Sequence, residues 1–432
     1  MLRHEGMNEA DSAASHPGRV KAKRPAPGAR QAVRAMHVLY HHRTSGNDVE
    51  GVHIMGLVRA LRQLGCTVDI ASPPGCSPES RKAAEAQGGS GVRPRLKRFA
   101  RRAPPVLFEL AELAYNVCAL AQMLRLARRR RPDLIYERTT SNSVAPTLLA
   151  GWLGVPIVQE VNVTAQVGRF RALVLRRLTP AIEQWVARRA ALVVTVSDAF
   201  RAMLVRAHWP ADGIIVCPNA IRADEFTPDV VTPAARPPHV RPDDLVVGYV
   251  GSFLPYHGLD ALVDIARQMA TARPEVRWLL VGDGVERPRL ESLIDRHGLH
   301  SRFWLPGKVP HEEVPQYVAA MDVALLPHSA AFNSPMKLFE YMGMARAIAA
   351  PRVAAIEEVI TDGTNGLLFQ PGDTDSCRHV LERLMSNGSL RARLGSNARA
   401  CVLANHTWSA NARRLLRAVE GLEGRAGKAM NA

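Results

Sequence analysis

Short runs of aliphatic and β-branched residues recur along this 432-residue chain, each followed by a segment of helical spacing, and that alternation admits few folds. The first two runs are Met36-His37-Val38-Leu39-Tyr40 and Thr67-Val68-Asp69-Ile70-Ala71. Between them a loop with Gly46 and Gly51 leads into a helix from about Val52 to Leu64, with Ile54, Leu57, Val58 and Leu61 on one face and Gly65 as its stop. Further strands are expected at Asp133–Tyr136, Pro156–Val158, Leu192–Val196 and Ile214–Val216, and helices at Val106–Ala127, Ser143–Leu153 and Pro180–Ala190. Residues 73–104, rich in Pro, Gly and Arg, read as a mobile loop, and Pro-rich Thr227–Pro242 reads as a linker. A second series of strands follows at Val246–Val250, Trp278–Val281, Phe303–Leu305, Val323–Leu326, Ala347–Ala350 and Leu367–Phe369. The expected fold class is α/β, with two Rossmann-like domains, 34–226 and 243–405, facing across a cleft and joined by 227–242. Residues 406–432 read as a C-terminal helix and tail able to pack back on the first domain. Ligands of open parallel sheets bind beyond the strand C-termini, which here means in the cleft.

Charge is distributed unevenly. Residues 1–230 hold 33 Lys+Arg against 19 Asp+Glu, whereas residues 231–432 hold 23 against 21. The excess lies in Arg93-Pro94-Arg95-Leu96-Lys97-Arg98-Phe99-Ala100-Arg101-Arg102, in Arg128 to Arg131 and in Arg169 to Arg177. An anionic membrane surface and nucleic acid both suit such clusters, and a coding bias toward Arg would also produce them. No nucleic-acid motif is visible and aromatic residues make up only 5%, so base-stacking platforms are not expected. The expected location is cytoplasmic, peripheral on the inner face of the membrane. Residues 1–33 lack an apolar core and read as a disordered basic tail rather than a secretory signal, with Met36 as an alternative start. No uninterrupted apolar run reaches membrane-spanning length. The helix around 105–127 has a wide apolar face flanked by basic clusters, which suits core packing or insertion at a membrane interface. Six cysteines form no CxxC pair and are expected as free thiols. His41-His42 could suggest a metal, but no acids cluster nearby, and a loop pair is the expected reading.

The densest chemistry lies in Asn333-Ser334-Pro335-Met336-Lys337-Leu338-Phe339-Glu340-Tyr341-Met342. Lys337 and Glu340 stand three residues apart, hence on one helix face, just after a loop. A helix N-terminus presents free N–H groups and partial positive charge, and a Lys in its first turn completes an anion site suited to phosphate. A Glu one turn later can accept hydrogen bonds from a ribose diol. The same spacing also suits an ordinary surface ion pair.

The flanking motifs carry a family resemblance. Val247-Gly248-Tyr249-Val250-Gly251-Ser252-Phe253, Tyr256-His257-Gly258-Leu259-Asp260, Leu279-Leu280-Val281-Gly282-Asp283-Gly284, Ser334 to Met342, Asp362 to Phe369 and Pro371-Gly372-Asp373 together resemble the family-4 retaining glycosyltransferases of the GT-B fold. Glu160-Val161-Asn162, Val196-Ser197 and Pro218-Asn219-Ala220 with Phe226 resemble landmarks of the first domain. The set is most similar to the subgroup of bacterial capsule and exopolysaccharide clusters. The resemblance implies transfer from a nucleoside-diphosphate sugar to a lipid-linked or glycan acceptor, with no cofactor and no metal. It places Lys337 on the donor diphosphate and Glu340 on the ribose. Gly251, Ser252, Gly282, Gly284, Asn333, Ser334 and Leu338 would line the donor, and Gly51 and Asn162 the acceptor side. Catalytic roles fall to Lys337, His257 and Glu160, with His257 as a protonated donor or a capping residue and Glu160 as the acceptor-positioning acid.

Departures from the family pattern bear on function. Phe332 stands where the common form has a Glu contacting the donor sugar. Ser252 and His257 stand where many members have Arg and Lys, and Glu160 and Asn162 occupy a stretch that often holds a His. Gly343-Met344-Ala345 replaces Ala-x-Gly, and Asn219-Ala220 replaces Asn-Gly. These losses of charge leave room for a non-catalytic scaffold, and the fold also serves nucleotide-sugar epimerases. Gly282-x-Gly284 lacks the third glycine of a dinucleotide fingerprint, since position 287 is Arg.

Overall fold

A computed structural model describes residues 35–44, 48–79, 104–165, 173–228, 240–241 and 243–430. The expected basic tail, the Arg93–Arg102 cluster and most of the 227–242 linker lie outside the described residues.

The first lobe runs β1 (His37–His42), α1 (Asp48–Gln63), β2 (Thr67–Ala71), α2 (Pro105–Arg129), β3 (Leu134–Arg138), α3 (Ala145–Leu153), β4 (Ile157–Glu160), α4 (Leu178–Ala187), β5 (Leu192–Thr195), α5 (Asp198–Arg206) and β6 (Ile214–Val216). The second runs β7 (Leu245–Val250), α6 (Leu259–Met269), β8 (Val276–Val281), α7 (Arg287–Arg296), β9 (Phe303–Gly307), α8 (Val314–Ala319), β10 (Val323–Leu325), α9 (Met336–Gly343), β11 (Ala347–Pro351), α10 (Ala354–Glu357), β12 (Leu367–Phe369), α11 (Thr374–Met385) and α12 (Gly388–Asn405). α13 (Trp408–Met430) ends the described chain.

Each lobe holds a six-stranded parallel sheet, ordered β2-β1-β3-β4-β5-β6 in the first and β12-β11-β10-β7-β8-β9 in the second. Helices cover both faces of such sheets, so the strands read as near-continuous apolar runs, as Val246 to Val250 and Trp278 to Val281 do, all of them buried. Trp278 and Phe303 stack across β8 and β9 with ring centroids 5.9 Å apart. α13 packs along α1, where the Trp408 indole occupies the space that a side chain at Gly56 would fill. The start of α13 is also tied to the segment after β6, with Asn411 Nδ2 donating to Pro218 O at 2.7 Å and the Trp408 backbone N–H donating to Ile221 O at 3.2 Å.

Three expectations need correction. His41 and His42 belong to β1, not to a loop, and both are fully buried. α1 begins at Asp48, so Gly51 lies inside its first turns and not on the preceding loop. α5 was not anticipated; Ser197 caps it, its hydroxyl oxygen accepting from the Phe200 N–H at 3.0 Å.

α2 is also more exposed than core packing would leave it. It is the one described helix long and apolar enough to cross a membrane by length and composition. Glu109 and Glu112 interrupt its apolar run. Leu107, Leu110 and Val117 point to solvent at 55%, 49% and 73% exposure.

Candidate active site

The segment that holds Lys337 and Glu340 folds as α9, which opens after extended Pro335 and is apolar on nearly every side. Met336, Leu338, Phe339, Tyr341 and Met342 are all buried, so tertiary packing fixes where its two charged residues go. They do not pair with each other. Glu340 is 6% exposed and its Oε1 lies 3.1 Å from His311 Nε2. Lys337 is half-buried and turns the other way, its Nζ 4.1 Å above the centroid of the Tyr249 ring and 2.7 Å from the Tyr249 hydroxyl. This geometry is not that of a surface ion pair.

The cation sites respond to these surroundings. Burial lowers the Lys337 amine to about 7, with the Glu340 charge opposing. Burial and then the Lys337 and His328 charges lower the His257 imidazole to about 3. His257 is therefore neutral in this state and is not the protonated donor considered from sequence. Its Nδ1 faces the Tyr249 hydroxyl at 2.5 Å. Burial opposes protonation of His311, but its bond to Glu340 and that carboxylate's charge outweigh it and raise the pKa.

The glycines bring two loops together at the strand ends. Gly251 has φ +147°, and a Cβ there would strike the Lys337 amine. Gly282 has φ +141°, and its Cβ would land on the Gly251 carbonyl. Gly284 lies against the Phe253 backbone, which leaves no space for a Cβ. Ser252 is exposed, and its carbonyl accepts from the Tyr249 hydroxyl at 3.1 Å. Leu338 is a correction: its side chain is fully buried in the core and its N–H donates to Pro335 O at 3.1 Å, so neither is free for a donor.

The loop before α9 is joined to the first lobe. Asn333 is exposed. Ser334 is buried, its Oγ accepting from the Asn219 N–H at 3.0 Å and its carbonyl accepting from Asn219 Nδ2. Asn219 Oδ1 lies 2.8 Å from His53 Nδ1, and His53 Nε2 lies 3.1 Å from Glu160 Oε1. A chain of polar contacts thus runs from the donor loop to the C-terminal end of β4. Phe332 is drawn into the first lobe as well, its ring stacked on Phe200 with centroids 5.4 Å apart.

Glu160 is the second correction. It is 2% exposed and accepts from Arg138, from the Tyr136 hydroxyl at 2.9 Å and from Asn162 Nδ2 at 2.6 Å, in addition to its contact with His53. Burial alone would raise its pKa, but Arg138 and His53 hold the carboxyl far below the ordinary range. So enclosed a carboxylate, already engaged by four side chains, is placed to organise this lobe and not to meet an acceptor hydroxyl directly. Behind it lies a cavity of about 20 Å³ lined by His53, Tyr136, Cys217, Trp408 and Asn411 among others, room for about one water. His41 Nδ1 lies 3.5 Å from Glu137 Oε1, and burial lowers His42 to about 4. Among the described residues no three His, Cys, Asp or Glu stand close enough together to hold a metal.

Sequence reasoning missed Tyr249, His311, His53, Arg138 and Asn219 as site residues. Tyr249 had a signal, since it is the one polar-tipped side chain in the buried run of β7. His53 and His311 had none, because their partners come from elements more than 25 residues away.

Two Rossmann-like lobes, with a Lys and a Glu presented on a buried helix beside the glycine turns of the second sheet, define a nucleotide-handling enzyme of two-lobed α/β architecture. Comparison with known proteins gives the family. Residues 51–225 match the model of Glycosyltransferase Family 4, and residues 244–387 that of Glycosyl transferases group 1. The chain is 27% identical over 338 residues to alpha-D-kanosaminyltransferase of Streptomyces kanamyceticus, covering 73% of this chain and 87% of that one. It is 25% identical over 410 residues to D-inositol 3-phosphate glycosyltransferase of Stackebrandtia nassauensis, 90% of each chain. Its fold is similar to that of Anabaena HepE, crystallised with UDP, at a TM-score of 0.68 and 19% identity over 89% of this chain and all of that one. The chain belongs to the group 1/family 4 glycosyltransferases of the GT-B fold, which makes it a transferase with a nucleotide-sugar donor.

Proposed function

We propose that this enzyme moves a sugar from a nucleoside-diphosphate sugar to a lipid-linked or polysaccharide acceptor at the cytoplasmic membrane surface, with retention of configuration, in cell-surface polysaccharide synthesis. The observation that carries the donor half is α9, which holds Lys337 and Glu340 in separate settings, the first half-buried and the second buried, beside the glycine turns of β7 and β8. In this reading Lys337 and the α9 N-terminus meet the charge of the leaving diphosphate, and Glu340, steadied by His311, accepts from the ribose hydroxyls. The anomeric carbon–oxygen bond to phosphate breaks as the bond to the acceptor oxygen forms on the same face. The acceptor proton passes to the departing diphosphate. No protein metal or cofactor enters this scheme.

The membrane half rests on α2. Its exposed Leu107, Leu110 and Val117 are followed by exposed Arg125, Arg128 and Arg129, an apolar stripe with a basic end. A second reading of the acceptor has its own support: two relatives are named for a kanosaminyl transfer and for inositol 3-phosphate, which favours a small free polyol.

Thermal stabilisation against UDP-, GDP-, ADP- and CMP-sugars tests the donor site. A selective shift that disappears in Lys337→Ala is expected, and a shift that survives in that variant rejects the assignment. Transfer from the selected donor to a lipid extract, compared with free inositol phosphate and aminocyclitols, decides the acceptor. NMR of the product anomer decides retention. Flotation with anionic liposomes at low salt should fail for a Leu107→Asp/Leu110→Asp variant. Wild-type protein that never floats removes the membrane from the proposal.

A further inference from the structure

Lys337 makes its closest polar contacts with a phenol and an imidazole, and what holds its amine bears on how a donor binds. Lys337 Nζ donates to the Tyr249 hydroxyl at 2.7 Å, stands over that ring and lies 3.4 Å from His257 Nδ1. The Tyr249 hydroxyl in turn lies 2.5 Å from the same His257 nitrogen. The Tyr249 hydroxyl carries one hydrogen, which His257 Nδ1 and the Ser252 carbonyl at 3.1 Å both stand in reach to accept. Among the described residues no carboxylate forms an ion pair with Lys337; Glu340, on its own helix, is engaged by His311. An amine turned inward onto a phenol and a neutral imidazole, with no counter-charge in contact, favours its uncharged form.

We propose that Tyr249 is a positioning residue for Lys337: with His257 it holds the amine in a buried resting site, and a nucleoside diphosphate binds by drawing that amine off the site as it takes one proton from solvent. The balance is simple. The amine becomes an ammonium, no other bond changes, and the proton comes from bulk water or buffer. This rests on the reading of Lys337 as the diphosphate ligand.

Other groups facing this site do not supply the proton. Tyr249 and Tyr341 are buried phenols whose pKa values burial raises, so they stay neutral through the physiological range. Burial and the Lys337 charge keep His257 neutral above about 3. Tyr256 is likewise raised by burial. His328, the remaining group facing His257, lies on the loop after β10, and its side chain is exposed. The resting site is also narrow: a Cβ at Gly251 would collide with the Lys337 amine and come within 2.9 Å of the Tyr249 hydroxyl.

The test is calorimetric titration of the whole protein with UDP, with GDP and ADP run in parallel, in two buffers of different ionisation enthalpy at pH 6 and pH 8. At pH 8 the nucleotide phosphates are fully ionised, so any proton taken up enters the protein. Uptake of about one proton at pH 8 and close to none at pH 6 is expected, with affinity falling about tenfold per pH unit above the break. No uptake at pH 8 overturns the proposal without recourse to any variant. Tyr249→Phe keeps the ring and its packing but removes the hydroxyl. It should bind the nucleotide about 3- to 10-fold more tightly at pH 6, because the resting hydrogen bond no longer competes. Unchanged or weaker binding by a folded Tyr249→Phe rejects the positioning role. Lys337→Ala separates the two claims. If it binds as tightly as the wild type, or if none of the nucleotides binds the wild type, the reading of the donor site itself fails. If it loses binding while wild-type binding carries no proton, only the resting site fails.

Discussion

At Glu160 five side chains meet in a space almost closed to water. Arg138, His53, Tyr136 and Asn162 all direct polar hydrogens at one carboxylate. Removing its charge leaves Arg138 buried without its partner, and breaking one side of such a pair typically costs about 3–5 kcal/mol. Glu160→Gln is therefore expected to lose that much stability at pH 7 in denaturant titration; a loss below about 1 kcal/mol would mean the network is slack. Because the folded-state pKa is depressed, the contribution is present above the unfolded carboxyl value and is lost only as pH falls toward the folded one. It should therefore be constant across neutral pH. Lys337 shifts in the same direction, but its charge is a cost to the fold and not a support. Its folded pKa of about 7 lies below the ordinary lysine value of 10.5, so the folded state gives up a proton that the unfolded chain keeps, and stability rises with pH between those values. Lys337→Met should raise the melting temperature by about 1–2 °C at pH 6 and by less at pH 9, while donor binding is lost. A melting temperature that falls at both pH values would show that the amine is a net stabiliser.

At the scale of elements, the turns after β7 and β8 cross so closely that their glycines are structural before they are functional. At Gly282 a methyl group would meet a backbone carbonyl that cannot swing away, at a φ that side chains rarely adopt. Gly282→Ala is expected to cost several kcal/mol and to yield little soluble protein, whereas Gly372→Ala, at φ +76° with open space around it, should cost about 1 kcal/mol. Equal effects at both positions would mean that φ alone, and not the crossing, sets the requirement. The same contrast explains what was legible in the sequence. Strands such as Val246 to Val250 are buried on both faces, so their composition announces them, and α9 is announced by its Lys-x-x-Glu spacing in an apolar setting. α1 starts earlier than read because Asp48 to Gly51, ending in glycine, resembles a loop locally, while acids in a first turn favour a helix start. The His311–Glu340 and His53–Glu160 contacts join residues 29 and 107 positions apart, and nothing local encodes a pairing set by the docking of lobes and helices.

At the scale of the molecule, five contacts join the lobes on one side of the candidate nucleotide site. Ser197 Oγ donates to Phe332 O at 2.7 Å, and the Phe332 ring stacks on Phe200. The Asp198 and Ala199 N–H groups at the start of α5 donate to Glu358 at 2.8 and 2.9 Å. Asn219 holds Ser334, three residues before Lys337. Glu358 thus caps a helix of the opposite lobe, meeting both its free N–H groups and its partial positive charge. The loop that leads into the candidate donor residues is consequently held by contacts with the first lobe as well as with its own. The Phe332→Ala/Glu358→Ala pair removes the stack and the cap without touching Lys337, Glu340 or the glycine turns. Each lobe keeps its own core, so the melting temperature of the second lobe should change little. The radius of gyration in solution scattering should rise, and the donor KM should rise on the order of 5-fold with kcat less affected. If scattering and KM both match the wild type, these contacts follow closure and do not set it. The position of the donor loop would then have to come from α9 and the second sheet alone.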